Sequence, residues 1–119
     1  MDPVRSVLVV DDSRLSRMMI SKIISTHHSN WLISEAENAD QALELCTEQL
    51  FDYITLDHNM PGMTGIEAYP QIREIQPDAQ IGLFTANVQK STQEKSESIG
   101  LQFIAKPLNE EKVMAFFQE

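Results

Sequence analysis

Five short apolar runs, each separated from the next by a longer segment of helical period, constrain this 119-residue chain more than any other feature. The runs are Val7-Leu8-Val9-Val10, Trp31-Leu32-Ile33, Tyr53-Ile54-Thr55-Leu56, Ile81-Gly82-Leu83-Phe84 and Phe103-Ile104-Ala105. Most are apolar throughout instead of alternating, which is the pattern of strands buried on both faces of a parallel sheet. The Trp31 run passes into Ser34 and Glu35 and suits an edge position.

The intervening segments read as helices. Leu15, Met18, Met19 and Ile23 recur at three- and four-residue spacing after a cap candidate, Ser13. Ala39, Ala42, Leu43 and Cys46 do the same, and Ile66, Tyr69, Ile72 and Ile75 follow Thr64, which with Glu67 has the signature of a capping box. Ser91 to Ile99 is polar and ends at Gly100. Val113, Phe116 and Phe117 give the last helix an apolar face after Asn109. Pro70 lies inside the third helix, where a missing N–H costs about 3 kcal/mol, so a kink or an irregular first turn is predicted there. Strands alternating with helices predict one α/β domain over residues 1–119, a doubly wound five-stranded parallel sheet with helices on both faces.

The residues that end the runs carry the functional signal. The first run ends in Asp11-Asp12, the third in Asp57, the fourth in Thr85 and the fifth in Lys106. Ligand sites of open parallel sheets form at the carboxyl ends of strands, so four of the five strands deliver a charged or reactive side chain to one rim. Two unit charges about 4 Å apart repel by roughly 4 kcal/mol at an effective dielectric of 20. Three carboxylates gathered there therefore call for a proton or a cation. Oxygen donors without imidazole or thiolate favour Mg²⁺ over Zn²⁺. Lys106 adds a positive charge and Thr85 a hydroxyl donor, the parts that phosphoryl transfer needs for positioning and neutralisation. Asp57, alone at mid-sheet and followed by the turn-forming loop His58 to Gly65, is the candidate acceptor. Lys106-Pro107 permits a cis peptide.

Composition narrows the class. A formal net charge of −9 opposes binding to nucleic acid or to an anionic membrane surface. The N-terminal apolar run is too short for a signal peptide or a membrane span. One cysteine, Cys46, rules out an internal disulfide. A cytoplasmic protein is expected.

Asp11-Asp12, Asp57 with Met60-Pro61-Gly62-Met63-Thr64-Gly65, Thr85-Ala86 and Lys106-Pro107-Leu108 together resemble the signature of response-regulator receiver domains, over the whole chain. The resemblance implies the flavodoxin-like strand order 2-1-3-4-5 and phosphorylation of Asp57 by a phosphohistidine of a sensor histidine kinase or phosphotransfer protein. It implies that Asp12, Asp57 and the main-chain carbonyl of Asn59 bind Mg²⁺ directly, with Asp11 acting largely through water. Thr85 and Lys106 would contact the phosphoryl group, and Phe103 holds an aromatic switch position whose side chain turns inward on activation. The receiver would catalyse only its own phosphorylation and dephosphorylation. Its phosphorylation-dependent target would be a protein, met through the fourth helix, fifth strand and fifth helix. Thr64 stands where the family often has Asp. Asn59 and Asn87 hold positions that tune phosphoryl lifetime in the family.

Plainer readings stand beside these. His58 is expected to point away from the site, because side chains alternate along an extended segment. His27 and His28 read as the solvated end of the first helix, Cys46, Met18 and Met19 as packing residues, and Met60 and Met63 as exposed. A haloacid-dehalogenase-type phosphatase would need its nucleophile in an Asp-x-Asp motif after the first strand, where this chain has adjacent acids. A flavodoxin-like cofactor carrier would need a Ser-, Thr- and Gly-rich loop there. A pseudo-receiver with silent chemistry would lack signature positions that are filled here. A stand-alone regulator and a receiver of a longer chain both remain open.

Overall fold

The computed structural model describes residues 3–118. Its elements follow the predicted alternation: β1 (Ser6–Val10), α1 (Arg14–His27), β2 (Leu32–Ala36), α2 (Ala39–Glu48), β3 (Tyr53–Leu56), α3 (Gly65–Ile75), β4 (Gln80–Thr85), α4 (Lys90–Ser98), β5 (Gln102–Ala105) and α5 (Glu110–Phe116). The five strands form one parallel sheet in the order β2-β1-β3-β4-β5, the flavodoxin-like order. β2, the weakest run, lies at an edge, and β1, β3 and β4 are interior.

Alternation along the interior strands splits the core in two. Val7, Val9, Tyr53 and Phe84 pack with Ile20 and Ile24 of α1 and Val113 and Phe116 of α5. Leu8, Val10, Ile54, Leu56 and Leu83 pack on the other face with Ala42 and Cys46 of α2 and Ile66, Ala68 and Ile72 of α3. Both faces being covered is what makes these runs apolar throughout. α4 also lies on the α3 side, as a right-handed β4-α4-β5 crossover requires. Four helices open on side-chain caps: Ser13, Asn38, Thr64 and Asn109 each accept a main-chain N–H of the first turn. The Thr64–Glu67 capping box is reciprocal, as predicted.

Several local expectations are corrected. The stripe of α1 that faces the sheet is Ile20 and Ile24, whereas Leu15, Met18 and Met19 are exposed. Leu15 and Ile20 are five residues apart, which turns the helix by about 140°, so the two apolar stripes point to different sides. Met60 is buried in the loop and Met63 packs against the core, because the loop folds back over α3 instead of standing free. Trp31 precedes β2 instead of belonging to it, its ring lying between His28, at 3.9 Å, and Tyr53, at 5.4 Å. His27 is the exposed last residue of α1, as expected, and meets Glu110, whereas His28 is half-buried against Trp31. α3 runs from Gly65 to Ile75 through Pro70, which lies on its exposed side.

The end of the sheet opposite the acids is held by one buried side chain. Gln76 is 1% exposed, accepts the Phe51 N–H at 2.9 Å and donates to the carbonyls of Cys46 at 3.0 Å and Gln49 at 2.7 Å. Removing such an amide leaves buried main-chain groups without partners. Gln76→Leu is expected to lower unfolding free energy by about 3 kcal/mol, read as a fall in the urea midpoint at unchanged slope.

Candidate functional site

β1, β3, β4 and β5 end on the same rim, and the chain continues their ladders by one residue to place the key side chains. The Asp11 N–H donates to the Ala36 carbonyl at 3.0 Å, that of Asp57 to the Val10 carbonyl at 2.9 Å, and that of Lys106 to the Thr85 carbonyl at 2.8 Å. Asp11 and Asp57 are buried, while Asp12, one residue further out, is exposed. Each of these three acids offers one carboxylate oxygen within 4.8 Å of the others.

Lys106 crosses the rim to meet them. Its Nζ lies 2.8 Å from Asp11 Oδ2, 3.8 Å from Asp57 Oδ1 and 3.4 Å from Ser16 Oγ. The Lys106–Pro107 peptide is cis, as the sequence permits. Asp11 Oδ1 also accepts the Ser13 N–H at 2.9 Å, which ties this acid to the start of α1. The four predicted strand-end groups therefore converge.

Asp57 is held tightly from the loop side. Its Oδ1 accepts the His58 N–H at 2.9 Å, and Thr85 hydrogen-bonds to its carboxylate. The first residue of α3, Gly65, donates its N–H to the His58 carbonyl at 3.1 Å. A Cβ on Gly65 would lie 2.4 Å from the Asp57 carbonyl oxygen and 2.8 Å from Leu83 Cδ1. Only glycine permits this approach of α3 to the back of Asp57.

The other predicted positions fall into place around this centre. Thr85 is fully buried, and its Oγ1 accepts the Asn87 N–H at 3.1 Å. Asn59, exposed in the turn after Asp57, accepts the Asn87 side-chain amide at 3.4 Å. Phe103 is half-buried and packs against the α2/α3-side core, in register with Leu83. His58 turns away from the acids, as alternation requires, and lines a groove with Thr64, Glu67 and Lys95. Burial there lowers its pKa.

Two residues of α1 escaped the sequence reading. Ser16 approaches Lys106, and Arg17 donates through Nη1 to the Asp11 carbonyl at 2.6 Å and through Nε to Glu35 at 2.9 Å. A basic residue in a first helical turn opposes the helix dipole. That local conflict was the available signal for a partner at the rim.

Burial, with the Asp11 charge as the next cause, raises the Asp57 pKa from 3.8 to about 6, against the opposing pull of Lys106, His58 N–H and Thr85. The folded protein therefore binds a proton at Asp57 more tightly than the unfolded chain does. Stability from this group falls as pH rises from about 4 to 6 and stays lost above that. A shift of that size corresponds to roughly 3 kcal/mol. Asp57→Asn, neutral and nearly isosteric, is expected to stabilise the metal-free protein at pH 7 by about 2 kcal/mol. It should also flatten the pH dependence between 4 and 6, measured by denaturant unfolding in chelator across that range.

Comparison with known proteins agrees with this arrangement. The family model described as response regulator receiver domain matches residues 7–118. The chain is 36% identical over 109 residues to the chemotaxis protein CheY of Bacillus subtilis, covering 91% of this chain and 90% of that one. It is 35% identical over 111 residues to that of Thermotoga maritima, covering 92% of each. Among solved structures, the chemotaxis protein CheY4 of Vibrio cholerae superposes with a TM-score of 0.86 at 27% identity over 98% of both chains. A response regulator of Burkholderia pseudomallei, solved with a phosphorylated aspartic acid, a calcium ion and citrate, superposes at 0.86 and 26% identity over 96% of this chain and 66% of that one. A sheet of order 2-1-3-4-5, acids and a lysine gathered on its carboxyl rim, and a family match over nearly all of its length make this chain a member of the response-regulator receiver domain family.

Proposed function

We propose that Asp57 accepts a phosphoryl group from a phosphohistidine of a sensor histidine kinase or phosphotransfer protein, with Mg²⁺ held at the acid cluster, and that the modified receiver changes its binding to a protein target. The observation that carries this reading is the crowding at the rim. A buried carboxylate lies 3.8 Å from an ammonium and shares a 4.8 Å cluster with two further acids. A net anionic oxygen cluster of this kind fits a hard divalent cation, and burial together with the neighbouring Asp11 charge raises the Asp57 pKa.

The residues divide the work as follows. An Asp57 oxygen attacks phosphorus and forms the new P–O bond while the P–N bond to the donor imidazole breaks, the imidazole leaving with its electron pair and taking a proton. Asp12, Asp57 and the Asn59 main-chain carbonyl would hold Mg²⁺, and Asp11 would support it through water. Bound there, the ion supplies positive charge to the phosphoryl oxygens. Lys106 and the Thr85 hydroxyl meet the same oxygens from the β4/β5 side, and the Lys106 Nζ has only to move from Asp11 toward Asp57. Water later cleaves the P–O bond and releases phosphate, so the chain acts on its own aspartyl phosphate and on no free substrate. Residues 1–119 serve as one receiver domain in the cytoplasm, and Thr85 and Phe103 pass the change to the face of α4, β5 and α5. The crystallised CheX-CheY-BeF3-Mg²⁺ complex from Borrelia burgdorferi, whose matching chain superposes at a TM-score of 0.80 with 26% identity, supports both a metal and a protein partner for such a site.

Incubation with acetyl phosphate and Mg²⁺ is expected to label Asp57, mapped by mass spectrometry after borohydride trapping. Asp57→Asn and chelation should each abolish the label. Equal labelling of the Asn variant would overturn the assignment. Asp12→Asn should weaken Mg²⁺ binding by about tenfold or more, measured by calorimetry, since it removes one anionic ligand.

A further inference from the structure

Helix α4 is held to the domain by hydroxyls more than by apolar side chains. Its buried residues are Thr92 and Ser96, and its N-cap, Gln89, makes no side-chain cap bond. Ser96 Oγ donates to the Leu101 carbonyl at 2.7 Å, anchoring the far end. The near end depends on Thr92, 8% exposed, whose Oγ1 donates to Asn87 Oδ1 at 3.2 Å.

Asn87 is at the same time in contact with both loops of the site. Its main-chain N–H donates to Thr85 Oγ1 at 3.1 Å, and its Nδ2 donates to Asn59 Oδ1 at 3.4 Å. Its Oδ1 accepts Gln89 N–H at 3.3 Å besides the Thr92 hydroxyl, and so supplies from two residues upstream the cap that α4 otherwise lacks. The main-chain N–H and the side-chain amide of Asn87 thus join Thr85 and Asn59 on one side to the start of α4 on the other.

We infer that Asn87 and Thr92 form a latch through which α4 reads the position of the Thr85 hydroxyl. The inference rests on the reading of Asp57 as phosphoacceptor given above. When Thr85 Oγ1 moves toward a phosphoryl oxygen, Asn87 either follows it or leaves a main-chain N–H without its acceptor. Following it draws Oδ1 from Thr92 and Gln89 together and loosens the first turn of α4. The helix has little apolar burial to resist that, so the two arrangements are close in free energy and easily biased. Thr92 and Asn87 are positioning residues; neither takes part in the bond making at Asp57.

Hydrogen exchange of the α4 amides from Gln93 to Ser98 tests this on the full chain, with and without acetyl phosphate and Mg²⁺. Phosphorylation of the wild type is expected to speed their exchange by about fivefold or more, the scale of one lost hydrogen bond. Thr92→Val should show that faster exchange before phosphorylation and respond less than about twofold afterwards. Its Asp57 labelling should be unchanged. Thr92→Ser, which keeps the donor, should restore the wild-type behaviour and separates loss of the latch from general damage to the helix. Unphosphorylated Thr92→Val exchanging like wild type would overturn the latch. So would a labelled wild type whose α4 amides do not change, with the phosphoacceptor reading left standing. Absence of label at Asp57 would overturn that reading and this role of the latch with it.

Discussion

The ammonium of Lys106 is the interaction on which the rest of the site depends. It reaches from the end of β5 across the rim to the end of β1, 2.8 Å from Asp11, and passes Asp57 at 3.8 Å. A cation in that place partly offsets the repulsion among carboxylates that the sheet order forces together. The offset is incomplete: burial first, and the Asp11 charge after it, still raise the Asp57 pKa. On the proposed function, that unfavourable energy is what a cation, or a phosphoryl group with its own partners, would relieve.

The position of the rim follows from the topology. A parallel order of 2-1-3-4-5 sets β1, β3 and β4 side by side at mid-sheet, and their carboxyl ends meet where α1 leaves in one direction and α3 in the other. Register then fixes which side of the sheet each side chain serves. Phe103, aligned with Leu83, and Thr85, aligned with Ala105, therefore share one side of the sheet, the side on which α4 packs.

Much of this was legible in the sequence because the strands are buried on both faces and their runs are continuous. The edge strand, the capping box at Thr64 and Glu67, and the five strand-end residues all rest on short-range chemistry that the chain displays openly. What misled was geometry that spacing cannot decide. α1 carries two apolar stripes, and counting from Leu15 selects the one that faces solvent. Met60 and Met63 depend on the path of a loop, which residue spacing does not display. Gln76 holds the main-chain carbonyls of Cys46 and Gln49, and Asn87 the side chain of Asn59, all distant in sequence, and such partners leave no periodicity to count.

The tight seat of Gly65 against the Asp57 carbonyl gives the domain unequal compliance around its acceptor. Toward α3 the Gly65 and Asp57 backbones are in close contact, so a displacement at Asp57 would press directly on a packed helix and be soon damped. Toward α4 the mechanical path runs through amides and hydroxyls that can exchange partners. A fluorophore placed along α3 would stay dark to the chemistry, and one placed on the outer surface of α4 would report it.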